Sequence, residues 1–574
     1  MVNLKEKPYF LNDDQITWVN ETIASMTDEE KAGQFFICLN LFQDEAHVRT
    51  MCEKYHVGGV RWQMGTVESV YEQNRMFQEF SKIPVLIAAN CEAGGNGAVG
   101  EGTLVAPEAA CGAASDASVA YNMGRVSAEE AVAIGCNWTF APIADVYLNP
   151  MNTIVNTRSF GNDPDKVIDC CKAYMKAMRE KNILCAAKHF PGDGSEARDQ
   201  HLVMGCNDLS VEEWDRTYGK VYRALIEDGI ESIMVGHICQ PAYQKLLNPA
   251  LKDEDILPAT LSSELLNGLL RDKLGFNGLV VTDASHMAGL NCAADRFTQV
   301  TGAIQAGCDM FLFFNDPDED LAYMLRGIRE GVISEQRLND ALQRILGLKA
   351  KLQLYRREFP PKAGLVKVGC EEHRKVSAQA ADESITLVKD VRHLLPLDTS
   401  VRHRARLYYL ESQPLSASDP EDPARQIVIE ELERAGFEVS VNTSYYDLER
   451  EKSHPFNRIH MMDCGKVEDF KERYDVVFMV INMKGYAKEN NVRAAYSCSH
   501  SNEIPWFMQE VPTVGISLNY TNHLYDLPML KTYINAYAPT REYIRAAIEK
   551  ITGKSAFKGQ YNETVWCGRW DTRV

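Results

Sequence analysis

No stretch of 18 apolar residues occurs anywhere in this chain, so the sequence offers no membrane-spanning helix. The amino terminus, Met1 to Lys7, leads into polar sequence without an apolar signal core, and the expectation is cytoplasmic residence. Basic residues are in deficit, 61 against 80 acidic ones, for a net charge of −19. Such a balance repels nucleic acid and anionic membrane surfaces, so neither is expected as a partner, and a neutral small substrate fits better. The 16 cysteines are scattered, with Cys170-Cys171 the only adjacent pair and no paired C-x-x-C clusters, so structural zinc is not expected. Buried, reduced thiols are the reading, with no metal and no cofactor. Low-complexity tracts are missing too, and oligomeric state is not legible.

What is present is a βα alternation. Eight short apolar runs punctuate the first 355 residues: Gly33 to Asn40, Val57 to Trp62, Val85 to Asn90, Asn137 to Val146, Leu184 to Phe190, Ser232 to Ile238, Gly278 to Ala284 and Asp309 to Phe314. Amphipathic segments such as Ser118 to Ile134 and Asp163 to Glu180 are long enough to return the chain parallel to the preceding strand. Eight such units predict a (β/α)8 barrel over residues 1–355, ending in a helix capped by Ser334. Two prolines and four charges in Arg356 to Lys362 begin a linker, residues 356–372. A second βα pattern, residues 373–574, predicts an open α/β sandwich with strands near Arg406 to Glu411, Glu438 to Val441, Asp475 to Ile481 and Thr513 to Leu518.

The chemistry-bearing stretch is Lys188-His189-Phe190-Pro191-Gly192-Asp193-Gly194, closed by Asp199-Gln200-His201, directly after a buried strand. Asp283 likewise emerges from an apolar strand, where a charge is costly unless paired or working. It either caps the next helix or acts as nucleophile or electrostatic stabiliser. Asp199 and His201 are either a solvated loop pair or a carboxylate orienting an imidazole for proton transfer near neutral pH. Lys188, His189 and Arg158 offer donors suited to sugar hydroxyls or a carbonyl oxygen, or sit in salt bridges. Glu92 follows the third strand, Arg158 the fourth, Lys188, His189 and His201 the fifth, His237 the sixth and Asp283 the seventh, so a barrel aims them at one mouth. Gly95 to Gly100 matches G-x-G-x-x-G, yet the following residues do not open a helix, which argues against a dinucleotide site and for a mobile loop over the pocket.

Taken together, Met26 to Gln34, Asn156 to Phe160, Lys188 to Gly194, Asp199 to His201, Val281 to Met287, Ser384 to Lys389 and Leu394 to Leu397 resemble glycoside hydrolase family 3, in its β-N-acetylhexosaminidase branch. The resemblance implies an enzyme, a retaining exo-glycosidase that cleaves terminal β-linked N-acetylhexosamine, N-acetylglucosamine above all. Asp283 would form the glycosyl-enzyme, and His201, oriented by Asp199, would act as acid and base. Lys188, His189, Arg158, Asn90, Glu92, Asp193, His237 and Met287 would surround the sugar.

Two departures stand out. Asp193 occupies the second histidine of K-H-F-P-G-H-G, and Asn90 opens a motif that resembles D-x-E-G-G, replacing a carboxylate expected to hold ring hydroxyls. Three alternatives stay open: phosphorolysis of the same glycosides, a β-glucosidase, and a non-catalytic sugar-binding relative.

Overall fold

The computed structural model describes residues 2–40, 44–62, 65–412, 422–444, 465–483, 491–496 and 503–574. These form two compact units: residues 1–105, 120–147 and 163–374 in one, and 106–119, 148–162 and 375–574 in the other.

The first unit is a closed barrel of eight parallel strands. They are β1 (Phe36–Asn40), β2 (Gly59–Trp62), β3 (Leu86–Ala89), β4 (Trp138–Thr139), β5 (Leu184–Phe190), β6 (Ser232–Val235), β7 (Leu279–Ala284) and β8 (Met310–Leu312). Each strand pairs with its neighbours in chain order, and β8 closes on β1 through Phe36 opposite Phe311. Fully buried strands explain the continuous apolar runs: all seven residues of β5 and all four of β6 are inaccessible. β4 is much shorter than its apolar run. Pro142 has no N–H to give, and beyond it only an isolated bridge from Ile143 to Lys188 continues toward β5. The expected crossover helices are present as Ser118–Ala133 and Pro164–Arg179, the latter capped by Asp163 with proline in its first turn. Ser334 caps the last barrel helix, Glu335–Lys351, as the sequence predicts.

At the amino-terminal rim the fully buried Asp309 carboxylate collects three guanidiniums. Arg271 lies at 2.9 Å, Arg344 at 3.3 Å, and Arg337 also bonds to it. The same carboxylate accepts from Val280 N–H at 2.8 Å, so the start of β7 is pinned to the start of β8.

The second unit is a six-stranded sheet, ordered β9-β14-β13-β12-β10-β11. Its strands are β9 (Thr386–Asp390), β10 (Arg404–Glu411), β11 (Glu438–Val441), β12 (Val476–Asn482), β13 (Thr513–Ser517) and β14 (Thr532–Asn535). Only β9 runs antiparallel to its neighbour. Four strands match the expected positions; β9 and β14 are additions. Residues 106–119 and 148–162, read from sequence as part of the barrel span 1–355, pack with this unit. Ala113 O accepts from Gln560 N–H at 2.8 Å, and Asn156 Oδ1 from Thr521 N–H at 3.2 Å. The unit divide at residue 374 also falls later than the expected barrel end.

Removing Asp309 leaves three guanidiniums without their common counter-charge. Asp309→Ala is expected to destabilise the barrel by about 3 to 5 kcal/mol, read as a lower thermal midpoint in far-ultraviolet circular dichroism.

Candidate active site

β5 ends in Lys188-His189-Phe190, and the turn that follows is shaped by what lies beneath it. Gly192 has φ +124°, and a Cβ there would come within 2.2 Å of the Tyr218 ring, so only glycine fits. Tyr218 Oη donates to a backbone carbonyl in this region, with Val146 O at 3.0 Å and Asp193 O at 2.6 Å. Trp214 Nε1 donates to Pro191 O at 2.7 Å, and Asn207 Nδ2 to Gly192 O at 3.0 Å.

From above, the turn is gripped by Asp145. This fully buried carboxylate accepts from the backbone N–H of His189 (3.1 Å) and of Asp193 (2.8 Å), and pairs with His189 Nδ1 at 2.7 Å. A carboxylate accepts, so Nδ1 carries the proton. The opposite nitrogen, Nε2, stands 3.9 Å from Asp283 Oδ2.

Asp283 closes β7 with its side chain only 13% exposed. Burial alone pushes its carboxyl upward. The charges of His189, His237 and His201 and a 2.7 Å hydrogen bond from Ala284 N–H outweigh burial and hold it down at about 2. The carboxylate is therefore ionised across the physiological range.

His201 rides on the loop from Asp193 to Gly205. Asp199, fully buried, accepts from His201 N–H at 2.8 Å and from its Nδ1 at 2.7 Å, while the ring remains 30% exposed. The dyad leaves Nε2 facing away from Asp199. Gln200 fastens the loop between its neighbours: Oε1 accepts from His237 N–H at 2.9 Å, and Nε2 donates to Asp193 Oδ2 at 3.3 Å. His201 O accepts from Ala288 N–H at 3.0 Å, tying the loop to the segment after Asp283.

Lys188 Nζ pairs with Glu92 at 2.6 Å, with both side chains largely buried. Asn90 Oδ1 is buried without a hydrogen-bond partner among the described residues. The glycine segment expected as a mobile loop is instead packed. Gly95–Gly97 forms a short 3-10 turn, a Cβ on Gly97 would lie 1.7 Å from Asn90 O, and one on Gly95 would strike Glu130.

Three residues expected at the sugar have structural placements. His237 is fully buried, its Nε2 donating to Ala284 O at 3.0 Å and its Nδ1 bonded to Thr260 Oγ1 at 2.8 Å. Burial lowers its pKa, against the pull of the Asp283 charge, and the ring steadies the backbone next to Asp283 through its bond to Ala284 O. Asp193 is buried, one oxygen on Gly194 N–H and the other on Gln200. Met287 is buried in the same turn, its N–H on Ala284 O. Arg158 belongs to the second unit, where Nη1 donates to Ile154 O at 3.3 Å.

Residues the sequence reading missed include Asp145, Gln200 and His286. Asp145 carries the signal that singled out Asp283, a carboxylate ending an apolar run. His286 is exposed and stacks on Phe313 with ring centres 6.0 Å apart. No group of three or more His, Cys, Asp or Glu side chains among the described residues is arranged to hold a metal ion. No helix among them is long and apolar enough to cross a membrane.

Residues 26–348 match the family model described as "Glycosyl hydrolase family 3 N terminal domain". A protein of Cellulomonas fimi named beta-N-acetylglucosaminidase/beta-glucosidase is 37% identical, with each chain covered over its full length. The solved structure of a beta-glucoside phosphorylase, BglX, is similar at TM-score 0.90 and 38% identity, covering 99% of both chains. The fold also matches a glycoside hydrolase family 3 beta-N-acetylglucosaminidase from Paenibacillus sp. str. FPU-7 at TM-score 0.77 and 23% identity, covering 93% of this chain and 98% of that one.

His189→Gln removes the strongest of the imidazole charges acting on Asp283 and should let its carboxyl rise. The acid limb of the kcat/KM profile is then expected to move to higher pH, checked by stopped assays across pH 3 to 8 on variant and parent.

Proposed function

Because the chain belongs to glycosyl hydrolase family 3, we propose that it cleaves terminal β-linked glucosides, N-acetylglucosaminides included, with retention through a covalent intermediate on Asp283. The observation that carries this reading is the ionised Asp283 carboxylate within electrostatic reach of His201, whose ring the buried Asp199 orients. Asp283 Oδ attacks the anomeric carbon while His201 Nε2 gives its proton to the departing oxygen, and the C1–O bond breaks to release the aglycone alcohol. In the second step an acceptor attacks the same carbon and hands a proton to His201. The C1–Asp283 bond breaks, and its electron pair returns to the carboxylate. The oxocarbenium-like transition state gains from the adjacent negative charge, as in two-carboxylate glycosidases, with imidazole replacing the second carboxylate.

In the same reading Lys188 and Glu92 hold ring hydroxyls through charge-assisted hydrogen bonds, each worth about 1.5 to 3 kcal/mol. Asn90 supports it: its buried, unmatched Oδ1 calls for a donor, which a sugar hydroxyl supplies.

A second reading concerns the acceptor. The likeness to the beta-glucoside phosphorylase structure, which extends over 99% of both chains, favours inorganic phosphate over water. The residues agree with it, since a spent His201 is neutral and Asp283, once esterified, is neutral as well, so an incoming anion meets no carboxylate from either. Dihydrogen phosphate would lose its proton to His201 and leave as the sugar 1-phosphate.

Three measurements test these readings. A 2-fluoro glycoside with a good leaving group should trap the enzyme, with mass spectrometry locating the sugar on the peptide that contains Asp283; label elsewhere would overturn the assignment. His201→Ala should lower kcat by about 10²- to 10⁴-fold on alkyl aglycones but far less on dinitrophenyl glycosides, whose leaving group needs no proton. Running the parent enzyme in phosphate and in a non-phosphate buffer decides the acceptor: sugar 1-phosphate as the main product supports phosphorolysis, and free sugar at high phosphate removes it.

A further inference from the structure

We infer that Cys206 and Cys239 form a thiol modification site, a dithiol that hydrogen peroxide converts to a disulfide and that thereby governs the loop bearing His201. The two cysteines end a two-stranded parallel ladder, Gly205–Cys206 against Ile238–Cys239, and are paired in register. Directly opposed residues in such a ladder share one face, and the strands lie about 4.8 Å apart. A disulfide needs Cα atoms about 4.4 to 6.8 Å apart, so the spacing falls within its reach. Cys239 is buried, 3% exposed, and Cys206 is partly open to solvent, so one sulfur can meet a small oxidant while the other waits behind it.

The electrostatics favour the same division of labour. A hydrogen bond from the Cys239 thiol holds Cys206 below the ordinary thiol value, while Cys239 is held above it. Arg198 adds to the lowering at Cys206; Glu196 and Asp208 oppose it. The thiolate is the nucleophile in such chemistry. Cys206 attacks one oxygen of hydrogen peroxide, the O–O bond breaks, and hydroxide leaves, giving a sulfenic acid. Cys239 attacks that sulfur, its proton departs with the sulfenic hydroxyl as water, and the S–S bond forms. Two thiols are oxidised as one peroxide is reduced.

The ladder is wired to the site. Gly205 N–H donates to His237 O at 3.0 Å, and Asn207 N–H donates to Cys239 O at 2.9 Å. Glu196, in the middle of the His201 loop, accepts from Cys206 N–H at 3.2 Å. Drawing the two sulfurs into bonding distance shifts Cys206 and the loop end with it, five residues after His201.

The test is peroxide titration of the full-length enzyme, followed by non-reducing peptide mapping and glycoside turnover. Expected is a Cys206–Cys239 cross-linked peptide and a loss of activity of about 10²-fold, the cost of misplacing a catalytic group by about 1 Å. Dithiothreitol should reverse both, and Cys206→Ser and Cys239→Ser should each keep their activity in peroxide. Absence of the cross-link in oxidised wild type, which needs no variant to fold, would overturn the inference. So would a cross-link that leaves turnover unchanged, or inactivation that persists in Cys206→Ser.

Discussion

The carboxylate of Asp145 is the interaction on which this site depends. One buried anion gathers two backbone N–H groups and an imidazole from a seven-residue segment, and so turns a strand end into a fixed platform. With Nδ1 held by this carboxylate, the ring of His189 points its second nitrogen toward Asp283 near the end of β7. Charge-assisted bonds of this kind gain strength in a water-poor setting, and a partner left unmatched there costs more than the bond itself contributes. The aromatic floor of Tyr218 and Trp214 complements it by meeting the carbonyls that Asp145 cannot.

Around that platform the charges are arranged so that one carboxylate stays ionised. Two carboxylates crowded into one small cavity would force a proton onto one of them. Here the charges that act most on Asp283 are imidazoles, and one oxygen of Asp199 is spent on orienting His201. His237 contributes differently, through a ring hydrogen-bonded on both sides that fixes the carbonyl of Ala284, next to Asp283.

Much of this was legible in the sequence because buried parallel strands leave apolar runs that need no alternation. The runs ending at Asn90, Phe190 and Ala284 place their polar successors at one rim without any structural knowledge. The same logic overlooked Asp145, which lay inside a run taken wholly as strand until Pro142 interrupted the pairing. Gln200 carried no signal, since an amide that clamps a loop reads the same as one in water. Nor did local pattern reveal that residues 106–119 and 148–162 pack with the second unit. That membership depends on partners such as Gln560 and Thr521, hundreds of positions away. The short β14, Thr532–Asn535, was missed for a related reason: it is defined by its pairing with β9 and β13, which local pattern does not show.

Beyond its first residue, which the side chains of Asp145 and Tyr218 hold, the loop from Asp193 to Gly205 meets main-chain atoms of its neighbours: the amide and carbonyl of His237 and the amide of Ala288. Main-chain anchors are indifferent to side-chain identity at their own positions, so the insert behaves as a cassette. On the proposed mechanism, this scaffold is free to exchange its proton donor by replacing about a dozen residues, while the barrel and Asp283 remain untouched.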